Sequence, residues 1–98
     1  MDIVFLYQGQ RFVWDSEKAA SNKSKHGVSF EKACEVFFDP FVKLEHAGPT
    51  DEKREATIGM TEDWDLLFVA HLLREDDAIR IISARVATAQ ERRKYEDE

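Results

Sequence analysis

The sequence predicts an α+β fold: an antiparallel sheet with two helices ahead of it and one behind. Three observations carry that prediction. Apolar residues at helical spacing stop at Asp39-Pro40. Beyond Pro40 the apolar residues fall into short runs divided by turn signals, as strands do. A polar, charged stretch then closes the chain from about Val86 to Glu96. At 98 residues the whole chain, 1–98, is expected to be one domain.

Each element has its own signal. Val4 to Tyr7 and Arg11 to Trp14 are apolar runs around Gln8-Gly9-Gln10, the pattern of a hairpin. Asp15 or Ser16 then offers a helix N-cap, and Glu17 places a carboxylate in the first turn. That helix should run to about His26, with Gly27 as the residue that ends it. Ala19 and Ala20 are its only apolar side chains, so it should touch the core along one narrow stripe. Ser29 caps a second helix, in which Phe30, Ala33, Cys34 and Phe37 follow the i, i+3, i+4, i+7 rule. Pro40 ends it, because the residue before a proline is driven out of the helical region.

Four strands follow, near Phe41 to His46, Glu55 to Met60, Leu66 to Leu73 and Ile79 to Ala84. Turns are expected at Gly48-Pro49, near Thr61 to Asp65, and at Glu75-Asp76-Asp77. Short connections favour an antiparallel meander. Leu66 to Leu73 is apolar on both faces, so it should be a central strand. Trp14 and Trp64 are expected to pack in the core or at an edge.

Composition excludes several classes. The net charge of −6, from 20 acidic and 14 basic side chains, argues against a protein that coats nucleic acid through its overall charge. A local basic site on an acidic body is still allowed. Cys34 is the single cysteine, so an internal disulfide and a cysteine zinc cluster are both ruled out. On the apolar face of its helix it reads as a buried structural thiol. No run approaches the ~20 apolar residues that span a bilayer, and no signal peptide is recognised. The chain is therefore expected to be cytoplasmic. His26, His46 and His71 lack helical ligand spacing, so neither a metal nor a cofactor is expected. No nucleophile elbow and no glycine-rich phosphate loop is present.

Lys, His, Arg, Ser and Tyr remain. They suit RNA cleavage through its own 2′-hydroxyl, which needs proton transfer and fixed positive charge for the phosphorane-like transition state. Arginine stays charged and presents a planar fork to phosphate oxygens. His26 is by ordinary reading a helix-end cation, with Lys25 beside it. On an alternating strand Arg80 and Ile82 share one face, and Ile79, Ile81 and Ser83 the other. Arg85 falls where that strand should give way to the last helix, a place that suits a phosphate or a structural carboxylate. Arg54 gains value only if the sheet brings it near Arg80. Tyr95 and the run Arg92-Arg93-Lys94 read as packing and a solvated face.

Phe12 to Asp15, Lys18, Asn22, Lys25 to Glu31, Ala33, Val36-Phe37, Asp39-Pro40, Arg54, Gly59, Ile79 to Arg85, Ala87, Glu91-Arg92 and Tyr95 together resemble the BrnT family, over about residues 11 to 95. The resemblance implies a RelE-like ribonuclease toxin of a type II toxin–antitoxin pair. Such a toxin is metal-independent, cleaves RNA and inhibits translation. It implies neutralisation by a DNA-binding, BrnA-like antitoxin in a 2:2 complex, with DNA reached only through the antitoxin and RNA in some cases presented by the ribosome. By the same resemblance His26, Arg54, Arg80 and Arg85 are catalytic, and Lys25, Ser83 and Tyr95 bind RNA, with His26 moving a proton. Residues 1–10 extend beyond the family's usual start and either add a strand or stay disordered. The competing function is a non-catalytic or degenerate toxin subunit that acts through a DNA-binding partner.

Overall fold

A computed structural model describes residues 1–46 and 54–97. The N-terminal residues form a strand, β1 (Asp2–Tyr7), paired antiparallel with β2 (Gln10–Asp15). A two-residue loop joins them, with Gln8 at φ 51° and Gly9 at φ 83°. Positive φ at both loop positions matches the twist of the flanking strands, and glycine adopts it freely.

Helix α1 (Ser16–His26) starts where the Asp15 carboxylate accepts from the N–H groups of Glu17 and Lys18. It stops at Gly27, which takes φ 74° and donates its N–H to Lys23 O. Helix α2 (Phe30–Ala33) is capped by Ser29, whose hydroxyl accepts from Lys32 N. The single long helix expected here is instead this one turn followed by a 3-10 segment, Cys34–Phe38. Close packing accounts for the tightening. A Cβ on Gly59 would fall 2.8 Å from Val36 O, so the segment lies directly on the sheet backbone.

The remaining elements are β3 (Lys43–His46), β4 (Arg54–Met60), β5 (Leu66–Leu73), β6 (Ile79–Val86) and α3 (Ala89–Glu96). The turn expected at Gly48-Pro49 lies outside the described residues. The sheet order is β1-β2-β6-β5-β4-β3, so β5 is interior, as its two apolar faces require. Two expectations need correction. The helices do not precede the sheet, because a hairpin comes first. The sheet is not wholly antiparallel either, because β2 runs parallel to β6. A parallel pair needs a long crossover, which the helices and three intervening strands supply.

Helices α1 and α2 and the 3-10 segment cover one face of the sheet. Phe12, Trp14, Phe30, Cys34, Val36, Leu67, Val69, Ile81 and Ala84 form the core there. Cys34 is fully buried; its thiol donates to Phe30 O, and burial pushes its pKa up. Helix α1 docks through a polar residue that its sequence does not advertise. Buried Asn22 donates to Val28 O and Ala84 O and accepts from Ala84 N. An unmet buried amide costs about 1–3 kcal/mol, so this triple contact fixes α1 on β6.

Candidate functional site

The face of the sheet away from α1 carries the arginines. Its geometry depends on an irregularity in β6. Leu72 pairs with Arg80 and His71 with Ile81, but Ala70 pairs with Ser83. Ile82 is therefore an extra residue, a β-bulge. Regular alternation would set Ser83 and Arg85 on the face opposite Arg80. The bulge reverses this, and Arg80, Ser83 and Arg85 lie opposite Leu72, Ala70 and Phe68 on one face. The expected alternation is thus correct up to Ile81 and wrong from Ser83 onward.

Arg54 also pairs with Leu72, from the other side. Arg54, Leu72 and Arg80 form one row across three strands, with the two arginine backbones about 10 Å apart by strand spacing. The sheet thus supplies the proximity on which the value of Arg54 depends. Arg54 is exposed; Arg80 and Ser83 are half-buried.

Arg80 is held by Asp2. Its two terminal nitrogens each donate to one carboxylate oxygen, both at 3.2 Å. This hydrogen-bonded guanidinium holds the Asp2 carboxyl below the usual range. Arg85 is held by Glu91 in the same two-point manner, at 2.8 and 2.9 Å. Its guanidinium also lies 4.3 Å from the centre of the Phe68 ring. Glu91 belongs to a capping box with Thr88, so Arg85 is part of the start of α3. The last helix begins at Ala89 rather than Val86, which leaves Arg85 within the strand. Glu91 thus supplies the structural carboxylate that suited Arg85.

Tyr95, on α3, donates its hydroxyl to Asp39. Burial and that hydrogen bond push its pKa up to about 12. Burial works to raise the Asp39 carboxyl, but the Tyr95 hydroxyl and the Phe41 and Met60 N–H groups outweigh it and hold the group low. Tyr95 is therefore a tether between α3 and the Asp39-Pro40 corner, and its proton is held.

Lys25 and His26 are exposed at the end of α1, on the covered side of the sheet. His26 lines a cleft with Lys23, Lys32, Asp65 and Val86. Val86 is six residues along β6 from Arg80, on the order of 18 Å of strand. A single site joining His26 to Arg80 is therefore not formed. The physical reason is topological: α1 packs against the face of β6 opposite the arginines. His71 does not replace His26. It is buried among the core aromatics, with Nδ1 3.3 Å from Val69 O and Nε2 3.6 Å from Glu55, and burial lowers its pKa. Among the described residues, no cluster of His, Cys, Asp and Glu could hold a metal ion. Among the described residues, no helix is long and apolar enough to cross a membrane.

Residues 14–91 match a family model described as the ribonuclease toxin BrnT of type II toxin–antitoxin systems. The chain belongs to the BrnT ribonuclease toxin family. The crystal structure of the Brucella abortus ribonuclease toxin BrnT is similar, with a TM-score of 0.64 and 28% identity over 79% of this chain and 95% of that one. No curated protein sequence matches the chain. The BrnT match takes in Lys25, His26, Arg54, Arg80, Ser83 and Arg85. Strand β1 with Asp2, and Tyr95, lie outside it. Asp2, Glu91 and Phe68, which settle what each arginine touches, were missed in the sequence. Glu91 was open to detection through the Thr88-to-Glu91 capping spacing.

Proposed function

We infer that this chain is a metal-independent endoribonuclease toxin that cleaves RNA and thereby inhibits translation. The observation that carries this reading is the row Arg54, Leu72, Arg80 on the face opposite the core, with Ser83 beside it. Two permanent cations about 10 Å apart suit one stretch of phosphate backbone. Arg80 and Arg54 would hold the scissile phosphate and stabilise charge on the phosphorane, and the Ser83 hydroxyl would orient an oxygen or a guanidinium. A phosphate must displace Asp2 from Arg80, and Asp2 is half-exposed, so that exchange meets little resistance. Lys25 and His26 would contact an outlying part of the RNA, and His26 has no proton-transfer role at the arginine row. Arg85 and Tyr95 support the site by holding α3.

A net charge of −6 works against free RNA, so the ribosome is the proposed source of substrate. Family membership in a type II system also supports a protein antitoxin. A BrnA-like partner in a 2:2 complex, with DNA contacted only by the antitoxin, is the proposed form. A RelE-like relationship and a cytoplasmic location belong to the same proposal.

One observation favours the competing reading of a non-catalytic subunit: Arg80 and Arg85 each already hold a carboxylate. Incubating the purified chain with free RNA and with ribosomes in EDTA separates the two. Cleavage that Arg80→Ala abolishes supports the enzyme. Its absence on both substrates at high protein concentration supports the non-catalytic subunit.

A further inference from the structure

The turn between β4 and β5 presents a tryptophan to solvent. Trp64 was expected to pack, yet it is 81% exposed, whereas Trp14 is buried. Its backbone sits at φ 67°, which is unfavourable for a bulky residue. The turn enforces that conformation. The buried Thr61 hydroxyl accepts from the N–H groups of Asp63 and Asp65. Thr61 N donates to Asp65 O, and Trp64 N donates to Thr61 O. Strain of this kind persists only where the surroundings over-determine it.

Beside Trp64 runs a groove floored by Tyr7, Phe38, Pro40 and Met60. Tyr7 and Phe38 meet edge to face, with ring centres 5.4 Å apart. The rim is acidic. Glu62 accepts from the Tyr7 hydroxyl, and Glu35 accepts from Glu62 N. Among the described residues, no Lys, Arg or His lines the groove. An aromatic floor with a carboxylate rim repels phosphate and attracts a cationic segment that carries an apolar side chain.

We propose that this groove is the docking site for the antitoxin, taking a segment in which an aromatic or aliphatic side chain is flanked by Lys or Arg. Trp64 is the rigid anchor and Glu62 and Glu35 set the charge preference. The proposal rests on the reading that a protein antitoxin binds this chain, and it is independent of the arginine row on the sheet.

The test is calorimetric titration of the purified chain with a purified BrnA-like antitoxin. Trp64→Gly suits a positive φ, so the variant should fold as well as the parent, with its RNA cleavage unchanged. It should bind antitoxin about thirtyfold more weakly, as loss of an anchoring residue does. Glu62→Gln, which keeps an acceptor for Tyr7, should weaken binding several-fold. Antitoxin should also shield Trp64 from iodide quenching in the parent chain, a readout that needs no variant. Binding within twofold of the parent for Trp64→Gly overturns the site. So does shielding of Trp64 by RNA, or by raising the concentration of this chain alone, since either names a different occupant. If the parent chain binds no antitoxin at all, the partner reading fails and the groove assignment fails with it.

Discussion

Arg80 and Arg85 share a strand, a face and a mode of pairing, yet their surroundings differ. Each guanidinium grips a carboxylate at two points. Arg85 is clasped at 2.8 and 2.9 Å by a Glu91 that is 16% exposed, over the Phe68 ring. Arg80 meets, at 3.2 Å, an Asp2 that is 51% exposed and comes from the edge strand. Charge and residue type are identical at the two ends of β6, so they do not decide availability. What differs is the partner: Arg80 is 26% exposed and Arg85 35%, but Glu91 belongs to the capping box of α3 and Asp2 to an edge strand. On that contrast Arg85 reads as a structural cation, and Arg80 is the one proposed to meet phosphate.

Exchanging each arginine separates those roles. Arg80→Ala should lower RNA cleavage about 100-fold or more, the usual cost of removing one charge-stabilising donor. Its melting temperature should stay near that of the parent; a collapse of the fold would place Arg80 with the structural arginine. Arg85→Ala should do the reverse. Losing a charged hydrogen-bonded pair that water partly reaches should cost about 1–2 kcal/mol. Near this chain length each kcal/mol lowers the melting temperature by roughly 4–8 °C. Unchanged stability in a melting curve would remove the contrast.

Acid gives a subtler probe. The Arg85 hydrogen bond holds the Glu91 carboxyl below its usual value of 4.5. A depressed carboxylate stabilises the fold fully above its unfolded pKa, and that contribution fades as pH falls through the folded value. Below pH 4.5 the parent should therefore lose stability faster than Glu91→Gln, as followed by denaturant titration at several pH values. The smallest effect belongs to the open end. Asp2→Asn leaves Arg80 charged but removes its competing anion, so RNA affinity should rise a few-fold. A fall would mean that Asp2 helps to hold RNA.

The legible parts of the fold were those decided locally. Asp15, Gly27, Ser29 and Pro40 mark helix ends through hydrogen bonding and backbone sterics that need no tertiary partner. The interior position of β5 followed from its apolar faces. What depended on distant chain was hidden. The parallel β2–β6 pair joins the two ends of the sequence, and Trp64 is exposed because Thr61 ties its turn. In the site, Arg54 and Arg80 were nameable as residues, but their common row needed the strand register. His26, which spacing read as a helix-end cation, was placed in that site by the family resemblance, and the sequence does not tell which face of β6 receives α1.

The Ile82 bulge also bears on how this protein tolerates change. In a regular strand, losing one residue turns every later side chain to the other face. At Ile82 it does not. Ile82 is the unpaired extra residue, so its removal would restore plain alternation and leave Ser83 and Arg85 opposite Ala70 and Phe68, with Ala84 still clasped by Asn22. A single-codon deletion at Ile82 should therefore be far milder than one inside β5, so the bulge is a place where the gene has slack in the length of this strand.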